Sequence, residues 1–123
     1  MFLSATGLTW SANAGANIGA LRTALGDQSG AATDISHGWS VIRIGGNASR
    51  ELLAKLCSLD LHPRSFPPGC CVQTELRGLY VILHGVDTDH FDLWVMRSYA
   101  NSVWDWLRDG AAEFDCRIGT PLE

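Results

Sequence analysis

Hydrophobic and polar residues alternate along the chain in short strand-like runs, which are interrupted by three longer runs with helical spacing. Near the start, residues 2–10 predict a strand and residues 14–26 predict a helix whose apolar positions recur three and four residues apart. Gly26 suits the end of that helix, since glycine readily adopts the left-handed conformation found there. Residues 31–35 are a weaker strand candidate. The pattern predicts an α/β or α+β fold.

A strand followed by a helix is the clearest signal in the first half of the chain. Residues 39–44 are rich in bulky and β-branched side chains and are followed by two glycines, which is typical of a strand that ends in a turn. Asn47 is the predicted N-cap of the next helix, because its side-chain oxygen can accept a hydrogen bond from the first helical turn. The apolar stripe of this helix consists of Leu52, Leu53 and Leu56.

The segment beyond Asp60 predicts an irregular but ordered loop. Pro63, Pro67 and Pro68 lack the amide donors that a helix or a central strand requires. Gly69 then permits a turn into the next element. We therefore expect no regular structure until about residue 70.

An antiparallel meander of three strands is predicted after this loop, at about 70–76, 79–85 and 90–96. The middle strand carries the run 79–83 (LYVIL), which is apolar at successive positions. Such a run is expected in a central strand that is covered on both faces. The preceding strand alternates polar residues outward, so we expect it nearer to an edge.

The last helix is predicted over about 98–114, with Ser98 as its candidate N-cap. Two tryptophans, Trp104 and Trp106, lie in its broad apolar band. Aromatic side chains of this size bury roughly 150 to 250 Å² each. If the meander cannot cover both indoles, another chain must do so.

Charge and composition exclude several classes of function. Nine basic residues against thirteen acidic ones give a net charge of −4, which disfavours a nucleic-acid binder or a polybasic membrane surface. The longest uncharged run, residues 1–21, is interrupted by glycines and polar residues, so no run of roughly 20 apolar residues could form a spanning helix. No basic segment precedes an apolar one as in a secretory signal. A cytoplasmic protein is therefore expected. The four cysteines lack C-x-x-C spacing, so neither structural zinc nor a disulfide framework is favoured.

Carboxylates and imidazoles cluster around one predicted hairpin and raise the question of a metal site. They are His84, Asp87, Asp89, His90 and Asp92. Their spacing is not that of a calcium-binding loop, and aspartates are common in turns because they hydrogen-bond their own backbone. We therefore interpret this cluster as turn chemistry and predict no metal ligands.

Other candidate sites are weaker. The glycines before Asn47 could cradle a phosphate at the helix start, but no phosphate-binding motif surrounds them. Cys70 and Cys71 occupy successive strand positions and should point to opposite faces, one buried and one exposed. His37 and His62 are expected to support loops. No nucleophile, base and orienting group can be assembled, so we predict neither catalytic nor cofactor-binding residues.

Several blocks of residues in a fixed order resemble one known family. They are residues 34–39 (DISHGW), 57–63 (CSLDLHP), 66–74 (FPPGCCVQT), 91–93 (FDL), 97–100 (RSYA) and 104–107 (WDWL). The sequence resembles the gamma subunit of heterotetrameric sarcosine oxidases and related N-methyl amino acid oxidoreductases. The resemblance runs from about residue 33 to residue 114.

The resemblance implies a fold similar to the folate-binding domain of aminomethyltransferases, in which β-α-β units build a mixed sheet covered by helices. It implies a complex that oxidises sarcosine or a similar amine with flavin and passes the one-carbon unit to tetrahydrofolate. FAD, FMN, NAD, tetrahydrofolate and zinc are then expected in the alpha, beta and delta subunits. This chain is expected to be a non-catalytic structural subunit without a cofactor of its own.

The resemblance also divides the chain into a partial N-terminal unit at 1–35, the best-matching segment at 36–114 and a tail at 115–123. Typical members of the family have an additional strand and helix at the start, so we expect this chain to be shortened there. A sheet without those elements would expose an edge or an apolar face. A partner subunit, or a second copy when the chain is isolated, is expected to cover it.

Two hypotheses follow for the function. As an interaction subunit, the chain should use the residue types that anchor interfaces best, and we predict contacts at Arg64, Phe66, Trp94, Arg97 and Trp104. For Trp104 a place in the core is equally compatible, and Arg97 could instead pair with Asp92 or Asp105. The alternative is a small folate-binding module that would use Asp34, Asp60 or Glu75, for which fold analogy is the only support.

Overall fold

The computed structural model of the chain describes residues 2–7, 18–27 and 35–120. In these residues it contains six strands, three α-helices and two short 3-10 helices, Ser36–Gly38 and Arg97–Tyr99. The strands and α-helices are, in chain order, β1 (Phe2–Gly7), α1 (Ile18–Leu25), β2 (Trp39–Gly45), α2 (Ser49–Leu56), β3 (Cys71–Leu76), β4 (Leu79–Gly85), β5 (His90–Met96), α3 (Ala100–Ala111) and β6 (Arg117–Ile118).

The strands form one sheet in the order β3-β4-β5-β2-β1-β6. All neighbours are antiparallel except β1 and β6, which pair in parallel. The fold is therefore α+β with a mixed sheet, as predicted. Among the described residues, the expected β-α-β unit is found only in the connection from β5 through α3 to β6, whose strands run in the same direction. Helix α1 joins β1 and β2, which are antiparallel neighbours.

Most predicted elements are present where the structure describes them, but three differ. The last helix is α3 (Ala100–Ala111) rather than 98–114, Ile35 of the predicted strand 31–35 is not in a strand, and β6 lies in the predicted tail. The three strands of the meander lie within one residue of their predicted bounds, and β3 is an edge strand. The predicted first strand is present as β1, and its residues 8–10 lie outside the described residues. Helix α1 ends at Leu25, and Gly26 follows it with a φ of +51°. Residues 14–17 and 31–34 also lie outside the described residues.

The β3–β4 hairpin has a two-residue turn. Arg77 and Gly78 connect the paired residues Leu76 and Leu79, and both adopt positive φ angles, 49° and 88°. Turns with two such residues match the right-handed twist of the flanking strands. The glycine in this turn therefore fixes the register of the whole hairpin.

Helices α2 and α3 pack together on one face of the sheet, and the core lies between them and the strands. The leucines predicted on α2 are all buried. They meet Val103, Leu107 and Ala111 of α3 and alternate residues of β2, β4 and β5. Burial of each large aliphatic side chain contributes about 1.5 to 3 kcal/mol relative to exposure. This inner face accounts for most of the hydrophobic core.

Both predicted helix caps are wrong. Helix α2 starts two residues after Asn47, its N-cap position is Ala48, and no side chain caps it. The reason is a turn in which the Ser49 N–H donates to the Gly46 carbonyl, so that the helix begins only after it. Ser98 lies inside the 3-10 helix that leads directly into α3, so the cap position falls on Tyr99.

Gly110 marks a close approach between α3 and α2. A Cβ placed on Gly110 would lie 2.8 Å from Cδ1 of the buried Leu52. We expect Gly110→Ala to lower the free energy of unfolding by about 1 kcal/mol, because the steric cost exceeds the gain in helix propensity. Urea unfolding measures this difference. Gly38→Ala is the matched control, since a Cβ there meets nothing within 4 Å. Equal stability of the two variants would contradict the close approach.

Candidate interaction surface

The face of the sheet opposite α2 and α3 is called the outer face here. It is formed by the alternate strand residues that do not point towards these helices. Cross-strand pairing aligns Val41 of β2, Trp94 of β5, Ile82 of β4 and Gln73 of β3 in one row. Further outer-face positions are Trp39, Arg43, Cys71, Glu75, Tyr80, His84, Asp92 and Met96.

Strand β4 is apolar on both faces, but α2 and α3 cover only one of them. Val81 and Leu83 point into the core and are buried, whereas Tyr80 is 72% exposed and Ile82 is half-buried. On the neighbouring strand, Met96 is 50% exposed. The prediction that β4 is covered on both sides is therefore wrong for the described part of the chain. The outer face retains apolar and aromatic surface accessible to a partner.

A second row on the outer face is polar. Nε and Nη2 of Arg43 donate to the two carboxylate oxygens of Asp92 at 2.7 and 2.8 Å. The hydrogen bond to Asp92 raises the pKa of Arg43, against a smaller opposing effect of burial. His84 lies opposite Asp92, and Cys71 opposite His84. Because the ion pair is internal, the central part of the outer face carries little net charge.

The aspartates of the β4–β5 turn are used to shape that turn. Oδ1 of Asp87 accepts hydrogen bonds from the backbone N–H groups of Asp89 and His90, both at 2.9 Å, and lies 2.8 Å from Nδ1 of His90. The N–H of Asp89, and then the His90 side chain, lower the pKa of the Asp87 carboxyl. In the described ranges, no three His, Cys, Asp or Glu side chains are arranged to hold a metal ion.

Arg50 of α2 connects this turn to the proline-rich loop. Its guanidinium donates to the carbonyls of Leu61 at 2.5 Å, Phe66 at 3.3 Å and Thr88 at 2.9 and 3.1 Å. Its Cζ also lies 5.0 Å from the centroid of the Phe91 ring. One side chain thereby joins α2, the loop and the turn. The local sequence around Arg50 gives no signal of this role, because its acceptors lie on distant segments.

The proline-rich loop is ordered by hydrogen bonds of its own. The His62 N–H donates to Asp60 Oδ1 at 3.0 Å, and His62 Nδ1 accepts from the Arg64 N–H at 3.2 Å. The His62 carbonyl accepts from the N–H groups of Ser65 and Phe66. A hydrogen bond with the Ser65 side chain, and then that from the His62 N–H, lower the pKa of the Asp60 carboxyl. His62 therefore supports the loop as predicted.

The five predicted contact residues do not form one cluster. Trp94 lies on the outer face, and Arg97 follows β5 at the end of the sheet where Met96 is exposed. Arg64 is exposed on the proline-rich loop, at the opposite end of β5. Phe66 is only 3% exposed and contacts Phe91 with ring centroids 6.2 Å apart. Its burial removes Phe66 from the surface that a partner could reach.

The surroundings of Trp104 and Arg97 bear on the alternatives that the sequence left open for each of them. Trp104 is half-buried and packs against the core, as does Trp106, which also lies beneath the Arg77 guanidinium. Asp92 pairs with Arg43 rather than with Arg97. Asp105 lies 3.9 Å from Arg108 of the same helix. Neither proposed carboxylate is therefore directed to Arg97, which is exposed.

The remaining predicted positions have separate surroundings. Cys71 is exposed on β3, whereas Cys70 is half-buried against the core, as expected for successive positions. Burial raises the pKa of the Cys57 thiol. Asp60 belongs to the proline-rich loop and Glu75 is exposed on β3, so these two acids belong to different elements. Asp34 lies outside the described residues.

Sequence reasoning missed the accessible apolar residues of the outer face, which are the exposed Tyr80 and Met96 and the half-buried Ile82. The predicted contacts were restricted to arginine, phenylalanine and tryptophan. The two-sided apolar character of the run 79–83 was a signal for Tyr80 and Ile82, whereas Met96 lies outside that run.

None of the three α-helices in residues 2–7, 18–27 and 35–120 has the length and apolar character of a membrane-spanning helix.

Comparison with known proteins identifies the family. The model of the family described as "Sarcosine oxidase, gamma subunit family" matches residues 11–113. The sarcosine oxidase subunit gamma of Corynebacterium sp. (strain P-1) is 34% identical over 94 residues, which are 76% of this chain and 46% of that protein. That of Arthrobacter sp is 31% identical over 96 residues, 78% of this chain and 47% of that protein.

A solved structure shows the same fold. It is the heterotetrameric sarcosine oxidase from Corynebacterium sp. U-96 in complex with pyrrole 2-carboxylate, one chain of which matches with a TM-score of 0.77 at 30% identity. The match covers 81% of this chain and 51% of that chain. The chain thus spans about half the length of the relatives that it matches. On the extent of the family match, this chain belongs to the sarcosine oxidase gamma subunit family.

Proposed function

We propose that this chain is a non-catalytic interaction subunit, and that its outer face docks onto a larger subunit of a sarcosine oxidase-type complex. The observation that carries this proposal is the uncovered apolar surface of β4 and β5, where Tyr80, Ile82 and Met96 remain accessible beside Trp94. Contiguous exposed apolar patches mark protein–protein contacts in soluble proteins. Tyrosine and tryptophan, here Tyr80 and Trp94, are among the residue types that contribute most to binding at interface centres.

The charges of the outer face are compatible with this role. Arg43 and Asp92 neutralise each other, so docking would not leave an isolated charge under the partner. Arg97 lies at the rim, where a charged residue remains hydrated and influences association more than affinity. Arg64 and Trp104 lie on other parts of the molecule and would contact a partner only if it extends around the chain. Phe66 supports the loop from within the core.

The family relationship supports a specific complex. We propose that the partners are the alpha, beta and delta subunits of an oxidase that demethylates sarcosine or a related amine in the cytoplasm. FAD, FMN, NAD and zinc would be bound by those subunits, and tetrahydrofolate would accept the one-carbon unit there. The contribution of this chain would be to cover and orient the surface of a larger subunit.

The test is co-purification of the full chain with the other subunits of the oxidase from its own organism. Tyr80→Asp places a charge in the apolar patch of the outer face. Because the native side chain is mostly exposed, the expected cost to the fold is only that of a like charge opposite Glu75. We expect this variant to bind at least about 30-fold more weakly, the effect of losing an interface anchor worth about 2 kcal/mol. The isolated variant should lose no more than about 1 kcal/mol of stability, the scale of one cross-strand pair, so it should remain folded in the binding assay.

Val86→Asp is the matched control. Val86 is also exposed and apolar but lies in the β4–β5 turn, away from the outer face. We expect its affinity to remain within about threefold of the native value, as for most residues outside the centre of an interface. A native chain that does not bind the other subunits would overturn the proposed function. Equal losses for the two variants would show that the outer face is not the docking surface.

A further inference from the structure

Strand β3 forms one edge of the sheet, and most of its outer edge has no partner strand among the described residues. We propose that an extended segment of a partner subunit adds to the sheet along residues 71–75 of this edge. This inference rests on the proposed function, since it names a second part of the same docking contact. An added strand would bind through backbone hydrogen bonds, whereas a partner on the outer face would bind through side-chain packing.

The two-residue turn determines which peptide groups of β3 face outward. In a hairpin of this kind, the residues that flank the turn, Leu76 and Leu79, exchange both of their backbone hydrogen bonds. Hydrogen-bonded pairs alternate along an antiparallel ladder, so Val72 and Thr74 also bond to β4. The N–H and C=O groups of Cys71, Gln73 and Glu75 must then point away from β4. These three residues are the ones that an added strand could pair with.

The chain itself pairs with this edge of β3 at one residue, next to the β3–β4 turn. Cys57, directly after α2, has an extended backbone (φ −132°, ψ 156°) and forms a single antiparallel bridge with Leu76. The Arg77 N–H donates to the Leu56 carbonyl at 3.3 Å, which is the hydrogen bond expected beside a non-hydrogen-bonded bridge of this type. After Cys57 the chain leaves the edge for the proline-rich loop. The bridge also directs the Ser58 N–H to the Glu75 carbonyl, so this end of the edge is closed, and residues 71–74 together with the Glu75 N–H remain available.

The composition of the edge does not prevent pairing. Edge strands are usually protected by lysine, proline, a bulge or very short length. Strand β3 has six residues (CVQTEL) without proline or lysine. Its side chains alternate, with Cys71, Gln73 and Glu75 exposed and Val72 and Thr74 half-buried on the inner face. A strand that pairs here would extend both faces of the sheet in register.

This alternation specifies the chemistry of the partner segment. Residues of the segment that lie beside Val72 and Thr74 should be apolar, since they would continue the inner face that α2 and α3 cover. Residues beside Cys71, Gln73 and Glu75 should be polar, with a lysine or arginine near Glu75, because opposite charges stabilise cross-strand pairs. A second copy of this chain fits less well. Antiparallel self-pairing about Gln73 would set Glu75 opposite Cys71 and provide no cation.

Amide hydrogen exchange of the native chain tests the proposal directly. The full chain is compared alone and in the complex with the other subunits. We expect the amides of Cys71, Gln73 and Glu75 to exchange at least about tenfold more slowly in the complex, because new hydrogen bonds protect them. The amides of Val72 and Thr74, which already bond to β4, should change much less. This alternation distinguishes strand addition from general burial of the edge.

A pair of substitutions provides the second measurement. Gln73→Pro removes an outward N–H, and proline is tolerated on edge strands when the missing donor faces solvent. Gln73→Ala removes the same side chain and keeps the N–H. We expect the proline variant to bind the other subunits at least about tenfold more weakly than the alanine variant, since one inter-strand hydrogen bond and its neighbours are lost. Both isolated variants should retain the far-UV circular dichroism of the native chain.

The outcomes separate this proposal from the proposed function. A complex that forms with unchanged exchange at residues 71–75 would overturn strand addition and leave the docking role intact. A native chain that forms no complex would overturn both. Concentration-dependent dimers of the isolated chain, abolished by Gln73→Pro but not by Gln73→Ala, would assign the edge to a second copy and overturn the proposal for a partner segment.

Discussion

Replacing Arg50 by alanine is expected to lower the free energy of unfolding by about 3 kcal/mol, since hydrogen bonds from a charged donor contribute about 1.5 to 3 kcal/mol each and these are only partly shielded from water. The Arg50 guanidinium donates to the carbonyls of Leu61, Phe66 and Thr88 and lies over the Phe91 ring. Alanine would leave these acceptors without their donor and would remove the aliphatic stem that packs beside them. The proline-rich loop and the β4–β5 turn should both become less ordered.

Urea unfolding followed by tryptophan fluorescence measures this loss. Arg50→Lys should recover only part of the stability, because an ammonium cannot direct several donors to carbonyls on two different segments. Arg108→Ala is the matched control, since Arg108 is exposed and lies 3.9 Å from Asp105 on the same helix. Its loss should be within about 0.5 kcal/mol. A loss below 1 kcal/mol for Arg50→Ala would show that the loop is ordered without Arg50.

The local part of the fold could be predicted from the sequence because it depends on nearest neighbours. The hairpin of β3 and β4 follows from an alternating strand and an apolar strand separated by Arg77 and Gly78, a spacing that fixes turn and register together. The leucines of α2 have a spacing that only a helix places on one face, and all of them are buried. Such patterns need no knowledge of distant residues.

Contacts between distant segments could not be predicted in the same way. Arg50 looks like an ordinary surface residue of α2, but its acceptors are 11, 16 and 38 residues away along the chain. The predicted caps failed for a related reason. Asn47 is a favourable cap by residue type, but the turn that precedes α2 moves the helix start past it. A side chain's preference indicates a structure only when the backbone around it permits that structure.

The candidate interaction surface shows what a hydrophobic pattern does and does not specify. The run 79–83 is apolar on both faces of β4, but the described residues bury only the inner face, and the run by itself could not indicate this difference. Residue type alone was a poor guide to position. Phe66 has the composition of an interface anchor, but its ring fits against Phe91 in the core. Tyr80 was not a predicted contact, but it is the most exposed aromatic residue of the outer face.

Breaking the ion pair between Arg43 and Asp92 on the outer face is expected to destabilise the fold. Arg43→Ala should lower the free energy of unfolding by about 2 to 3 kcal/mol, since removing one member of a buried pair leaves the other uncompensated. The value lies below that for fully buried pairs because the Arg43 side chain is 29% exposed. Asp92→Ala should cost less, about 1 to 2 kcal/mol, because the longer arginine side chain can turn towards water while the more buried Asp92 carboxylate cannot.

The double variant Arg43→Met with Asp92→Leu shows whether the ion pair stabilises the fold more than two apolar side chains at the same positions do. Removing both charges leaves no unpaired group, so its stability should be within about 1 kcal/mol of the native chain, although each alanine variant is weaker. Urea unfolding of the native chain, the single variants Arg43→Met and Asp92→Leu, and the double variant measures the coupling between the two residues. Additive losses would show that Arg43 and Asp92 act independently.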